Sequence, residues 1–144
     1  MQEQNFKNHS RYVPLYHFVT FALILAVLIG SVINLNAAIS SGEGVYSASL
    51  ITVLAVIVLL VCWYARAFAI KAQDRAIRAE ENFRHFIATG KPFDSRLRMG
   101  QIIALRFAGD DEFVALAKKA VDENMPAKAI KMAVKNWKAD NNRV

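Results

Sequence analysis

The sequence predicts an all-α membrane protein: a two-helix transmembrane hairpin whose second helix extends into the cytoplasm and packs with about three short helices. Three observations carry that prediction. Phe18 to Ile33 and Ala48 to Ala65 contain no charged residue, and each is close to the roughly 20 residues that cross a bilayer core of about 30 Å. The polar segment after Ala65 repeats its small and aromatic residues at helical spacing. Farther on, Gly and Pro divide the chain into short amphipathic stretches. The 144 residues are 55% hydrophobic, about one domain's worth of chain, but the apolar residues are concentrated in the two runs rather than spread over it.

Residues 1–14 form an N-terminal arm with Lys7 and Arg11. The first span, 15–35, is also weighed as a signal peptide. Its stretch "FVTFALILAVLIGSVINL" exceeds a signal core of roughly 7 to 15 residues, and "NLNAAISS" offers no clean small-x-small cleavage site, so the span is expected to be retained. Pro14 suits a first helical turn, with φ already fixed and no N–H to satisfy.

Residues 36–47 read as an external loop of about a dozen residues, rich in Ser and Gly. A second span follows over 48–66. Lys and Arg are held on the cytoplasmic side during insertion. The arm carries two of them, the loop none, and the chain after Tyr64 the other sixteen. Both termini are therefore expected in the cytoplasm. Cys62 is the only cysteine, so no internal disulfide forms, and it reads as an apolar thiol packed in the span. His17, Trp63, Tyr64 and Arg66 read as membrane-interface anchors, with amphipathic rings and a cation that reaches the headgroups.

Residues 67–89 continue the second helix into the cytoplasm. Phe68, Ala72, Ala76, Ala79, Phe83 and Phe86 are spaced 4, 4, 3, 4 and 3 residues apart, which places them in one stripe. Asp74 with Arg78, and Glu80 with Arg84, are acid-then-base pairs at i,i+4 that support a solvated helix by about 0.2 to 0.5 kcal/mol each. Small residues in mid-stripe admit a close partner helix. That partner is either another helix of the same chain, or a homodimer seam or docking face for another protein.

Residues 90–144 read as a small helical cytoplasmic domain. Gly90 and Pro92 break the long helix. A first short helix covers about Ser95 to Ala108, with Leu97, Ile102, Ile103, Leu105 and Phe107 apolar. Gly109 ends it, and Asp110 or Asp111 can cap the next, whose Phe113, Leu116, Ala117, Ala120 and Val121 share one face. The last, about Pro126 to Lys138, sets Ile130, Val134 and Trp137 on one side and Lys128, Lys131, Lys135 and Lys138 on another. So small a core is expected to be completed by the stripe on the emerging helix.

The segments "EQNFKNH", "QDRAIRAEE", "QIIALRFAGDDEF" and "KAIKMAVKNWKAD", with "HF" before the first span, resemble an uncharacterised family of small bacterial two-span membrane proteins, a domain of unknown function. The resemblance runs over nearly the whole chain. It implies the two-span topology and a bacterial origin, hence the bacterial inner (cytoplasmic) membrane, and it brings no activity with it.

Catalytic and metal-binding patterns are then sought residue by residue. His9 and His17 would stand about 12 Å apart along one helix, too far to share a metal, and His85 is isolated. CxxC, HExxH, GxSxG and phosphate-binding glycine patterns do not occur. Asp110, Asp111 and Glu112 are consecutive and diverge on any helix, whereas paired acid and base chemistry needs converging groups. Arg106 either pairs with Asp110 one turn later or faces a pocket and binds an anion. Thr20, Ser31, Asn34, Ser49 and Thr52 are the polar groups of the spans, and no central charge marks a transport path.

From Arg66 onward sixteen Lys and Arg stand against ten Asp and Glu. Such a surface is either simply solvated or attracts anionic lipid at roughly 1 kcal/mol per residue, with Arg106, Lys128, Lys131, Lys135 and Lys138 as the candidate contacts. Nucleic acid is disfavoured as a partner, since Trp137 and its neighbours are committed to the core rather than to a recognition helix. The expected role is a non-enzymatic scaffold, adaptor or accessory subunit without cofactor or metal, contacting lipid and a protein partner or a second copy. The alternative is an oligomeric permease or channel component.

Overall fold

The computed structural model describes residues 4–9 and 12–140. Arg11, on which part of the orientation argument rests, and the ends of the arm and of the terminal domain (residues 1–3 and 141–144) lie outside the described residues. Among the described residues the fold is all-helical. It comprises a π-helical segment, Leu15–Thr20, and five α-helices: α1 (Phe21–Ser41), α2 (Val45–Thr89), α3 (Met99–Leu105), α4 (Asp110–Asp122) and α5 (Ala127–Ala133). Leu15–Ser41 and Val45–Thr89 are long and apolar enough to cross a membrane. The chain divides into two compact units, Tyr12–Phe68 and the residues before Tyr12 together with those from Ala69 onward. α2 contributes to both.

The first unit is an antiparallel helix pair. Its buried and half-buried positions include Ile24, Leu28, Ser31, Leu35 and Ala38 on α1 and Ala48, Thr52, Ala55, Leu59 and Cys62 on α2. Both sets are spaced by threes and fours, the recurrence of two helices packed along one seam. Ala48, Ala55 and Ser31 are small enough to let the backbones approach. Two hydrogen bonds fix the register: the Thr52 hydroxyl donates to the Ser31 carbonyl at 3.2 Å and the Tyr16 hydroxyl to the Cys62 carbonyl at 2.9 Å. In the π-helical segment the Thr20 hydroxyl donates to the carbonyl five residues back, that of Leu15, at 3.0 Å.

The loop expected over 36–47 contracts to Gly42, Glu43 and Gly44. Alanines hold α1 helical past Asn36, and the Ser40 and Ser41 hydroxyls bond back to the carbonyls of Asn36 and Ala38 instead of opening a turn. The helix ends where Gly42 adopts φ +77°, a left-handed conformation suited to glycine. The first span therefore runs six residues beyond the expected Leu35.

The second unit holds the larger core: Leu97, Ile102, Ala104, Leu105, Phe113, Leu116, Ala117, Ala120 and Ile130, closed by Val134 and bordered by Phe93 and Trp137. Three helix boundaries differ from expectation, two because side chains capture the backbone and one because the returning chain pairs with it. α3 begins at Met99 rather than Ser95, because the Asp94 carboxylate accepts the Arg96 N–H at 2.9 Å and the Asp94 carbonyl accepts that of Leu97 at 3.0 Å, forming a turn. Gln101 then takes the Arg98 N–H at 2.8 Å and donates to the Met125 carbonyl at 2.9 Å, so one buried amide ties the start of α3 to the end of α4.

α5 stops at Ala133 rather than Lys138. The Glu112 carboxylate accepts the backbone N–H groups of Lys135 and Asn136, both at 2.9 Å, which pulls the chain into an extended strap. That strap pairs with the end of α3: Gly109 N–H donates to Asn136 O and Lys138 N–H to Phe107 O, both at 2.8 Å, about an Ala108–Trp137 bridge. α3 accordingly ends at Leu105 instead of Ala108. A side chain at Gly109 would meet the Asn136 carbonyl at 3.0 Å and an Asp111 carboxylate oxygen at 2.6 Å, so glycine is required there by close approach.

The N-terminal arm also joins this unit. Gln4 exchanges two hydrogen bonds with the Asp140 backbone, at 3.1 and 2.9 Å, and the His9 ring lies 5.6 Å from Phe107 and 5.9 Å from Trp137.

Candidate functional site

The site is built on α2 beyond Ala69, which carries two faces of opposite character. Its inward face is Gln73, Ile77, Glu81 and Arg84, flanked by Asp74 and His85. Arg84 is the centre of that face. Its guanidinium bonds Glu81 at 3.0 Å, Asp110 at 2.7 Å and the Ala108 carbonyl at 2.7 Å, and it lies 4.0 Å over the Phe113 ring. One planar fork thus holds α2 against the α3–α4 corner, using the several fixed donors and the flat face that distinguish Arg from Lys. Arg84 serves Glu81 and Asp110 rather than the expected Glu80, and the expected Asp74–Arg78 pair is absent among the described residues.

The outward face is the predicted stripe, and it stays largely open: Phe68 meets the Tyr64 ring, and Ala76, Ala79 and Phe83 edge grooves beside the terminal domain. Phe68, Ala72, Ala76, Ala79, Phe83 and Phe86 are all exposed, as is Ile87. Phe83 is 63% exposed although it belongs to a helix whose Glu81 is 8% exposed. The expectation that this stripe completes the core is therefore overturned. The core draws instead on the polar inward face, because Arg84 supplies charge-assisted hydrogen bonds and ring contact where the alanines supply little packing area. Sequence reading missed Arg84 and Glu81 as packing residues. The available signal was the row Gln73, Ile77, Glu81 and Arg84, with Ile77 its only aliphatic member.

The "GDDEF" motif is absorbed by the fold. Gly109 itself precedes α4, with no side-chain cap, and the three acids occupy its first turn, where they favour the helix dipole. Asp110 meets Arg84, Asp111 accepts from the Asn136 side-chain amide, and Glu112 holds the strap. The hydrogen bond from Arg84, and then its charge, lower the Asp110 pKa below the ordinary carboxylate value. Arg96, by its side-chain and then its backbone hydrogen bond, lowers that of Asp94 to about 2.

Arg106 pairs with Asp140 at 3.3 Å, not with Asp110, and stacks over the Phe107 ring at 4.6 Å. It lines a cavity of about 320 Å³ with Glu80, Glu81, Lys138 and Asp140. Three carboxylates against two cations make that lining poorly suited to an anion. The four lysines do not share a helix face. Lys128 lies exposed on α5, Lys131 sits 5.7 Å over the Phe107 ring with its ammonium 3.2 Å from His9, and Lys135 and Lys138 fall in the extended strap. Among the described residues no three His, Cys, Asp or Glu side chains gather as a metal site. His85 instead meets the Lys91 carbonyl at 2.8 Å and packs on Phe93 at 4.7 Å, closing the turn after α2.

In the first unit His17 packs against Tyr12 and Tyr16, and Trp63 and Tyr64 are exposed, with Tyr64 stacked on Phe68 at 5.6 Å. The Tyr16–Cys62 hydrogen bond sets His17 at the same end of the helix pair as Trp63, and Arg66 follows one turn later.

The fold and these surfaces define a class: an all-helical protein with two helices long and apolar enough to span a membrane, joined in chain to a compact helical unit. The chain belongs to a family of unknown function, DUF6526, whose model matches residues 1–144. No curated protein and no solved structure matches it.

Proposed function

We propose that this protein is an integral protein of the bacterial inner membrane, with both termini cytoplasmic, acting as a non-enzymatic scaffold, adaptor or accessory subunit that presents the outward face of α2 to a protein. The membrane part is supported by the first unit, where Leu23, Val27, Ile29, Ile33, Val53, Leu54 and Val61 are among many large apolar side chains turned outward. Apolar patches beyond a few hundred Å² are rare on proteins bathed in water, and lipid accommodates them. Orientation is supported by the Gly42–Gly44 turn, which has no Lys or Arg, while sixteen follow Tyr64. Trp63, Tyr64, Arg66 and His17 would then meet the headgroups of the cytoplasmic leaflet.

The single observation that carries the scaffold reading is the outward face of α2, apolar and exposed from Ala72 to Ile87. Two measurements test it. In intact cells, a membrane-impermeant maleimide should label Ser41→Cys and spare Ala115→Cys, and the reverse would invert the topology. In mild detergent the chain should purify with a bound protein that is lost when Ala72, Ala76 and Ala79 are made bulky. Solute flux through the pure protein in liposomes, with no bound protein, would replace this reading by the permease one.

A further inference from the structure

We propose that the outward face of α2 binds the same face of a second copy of this chain, the two helices running parallel, with Arg75 of each copy against Glu80 of the other. The inference names the protein bound in the scaffold reading and rests on it. Ala72, Ala76, Ala79, Phe83 and Phe86 alternate at spacings of 4, 3, 4 and 3 residues, the alternation of a coiled-coil seam. With Ala76 and Phe83 at a and with Ala72, Ala79 and Phe86 at d, Arg75 occupies g and Glu80 the following e. Those two positions, five residues apart, are the ones that pair between helices in parallel coiled coils.

The seam is flanked by bases on one side, Lys71, Arg75 and Arg78, and by Gln73 and Glu80 on the other. A parallel pair sets the basic flank of each helix against the acidic flank of its mate. An antiparallel pair sets basic flank against basic and acidic against acidic. Charge therefore selects the parallel arrangement, which is also the one that two copies inserted alike in one membrane can adopt. Arg75 and Glu80 are both exposed, and neither makes an ion pair or hydrogen bond among the described residues. Their neighbours Arg84 and Glu81 are already committed to the inward face.

From Ala72 to Ile87 the seam is about 24 Å long at 1.5 Å per residue. The alanines allow close approach along its first half, and Phe83, Phe86 and Ile87 supply area along the second. So short a seam gains from copies held in one membrane, which raises their effective concentration.

The test uses the full chain in its native membranes, with Cys62→Ala and a single cysteine introduced at Ala76, or at Phe83 as a second seam position. Mild oxidation should give a disulfide dimer at both positions and none at Ala115→Cys, an exposed position on α4. Arg75→Glu or Glu80→Arg should each cut the crosslinked fraction about fivefold, as expected for two exposed ion pairs worth roughly 0.5 kcal/mol apiece, and the double exchange should restore it. A disulfide between Ala72→Cys and Phe86→Cys copies would show the antiparallel pair and overturn the inference, as would equal crosslinking at Ala115. A photoreactive residue at Ala76 separates the two failures. An adduct with a different protein overturns the second copy and leaves the scaffold reading standing, and no adduct of any kind overturns both.

Discussion

The two faces of α2 beyond Ala69 invert the usual rule of burial. The inward face packs through Arg84, Glu81 and Gln73 with one Ile77, and the outward face leaves three alanines and two phenylalanines exposed. A lone helix of this sequence would turn its apolar side to the core. Here that side is kept free because a guanidinium, fully employed, binds α2 to the rest of the unit. A helix can thus be held by its charges and still reserve its apolar residues for an encounter with another molecule.

The sharpest way to break the comparison is to remove one aromatic ring from each side. Phe113→Ala deletes the ring under Arg84, and should cost about 4 kcal/mol, read as loss of amide protection in α4 for the full chain in mild detergent. Phe83→Ala should change that protection by less than about 0.5 kcal/mol, as for a surface position, while abolishing the bound protein. Equal losses at the two positions would mean that both faces are structural.

Arg84→Met strands the largely buried Glu81 and should destabilise the unit by about 2 to 3 kcal/mol. Adding Glu81→Leu should recover most of that loss, because the uncompensated carboxylate, not the missing attraction, dominates the cost. Gly109→Ala, which crowds the Asn136 carbonyl, should cost about 1 to 2 kcal/mol and expose the Lys138 amide to exchange. The smallest effect concerns acid. The Asp110 pKa is lowered in the folded unit, so its contribution is present above the unfolded carboxyl value of about 4 and is lost as pH falls through the folded value. Asp110→Asn should lower α4 protection slightly at neutrality, where the ionised carboxylate contributes, and flatten its pH dependence below about pH 4.

Much of this architecture is legible in the sequence. The uncharged runs and the absence of Gly and Pro between Gly44 and Gly90 set out two long helices, and Gly90, Gly109 and Pro126 mark the breaks that follow. What is not legible lies where side chains compete for backbone groups. Asp94, Gln101 and Glu112 each take N–H groups that a helical reading assigns to carbonyls, which shortens α3 at its start and α5 at its end. The hydrophobic period identified the stripe correctly as one face. It could not give the direction of that face, because a polar row with one Arg does not announce itself as the packed side. Gln4 and His9 were hidden for another reason: their partners lie more than a hundred residues away, beyond the reach of any local pattern.

That distant contact has a consequence for how the protein is made. Gln4 meets Asp140 across 136 positions of chain, and His9 rests on Trp137. Synthesis runs from the N-terminus, at about 5 to 20 residues per second. The arm therefore emerges well before the strap and waits, unclasped, for seconds until the strap has cleared the ribosome. Its docking must follow synthesis of the strap, and a chain halted before Trp137 would leave it open. A protease site placed beside Lys7 would report, by its protection, the moment at which the arm meets the strap.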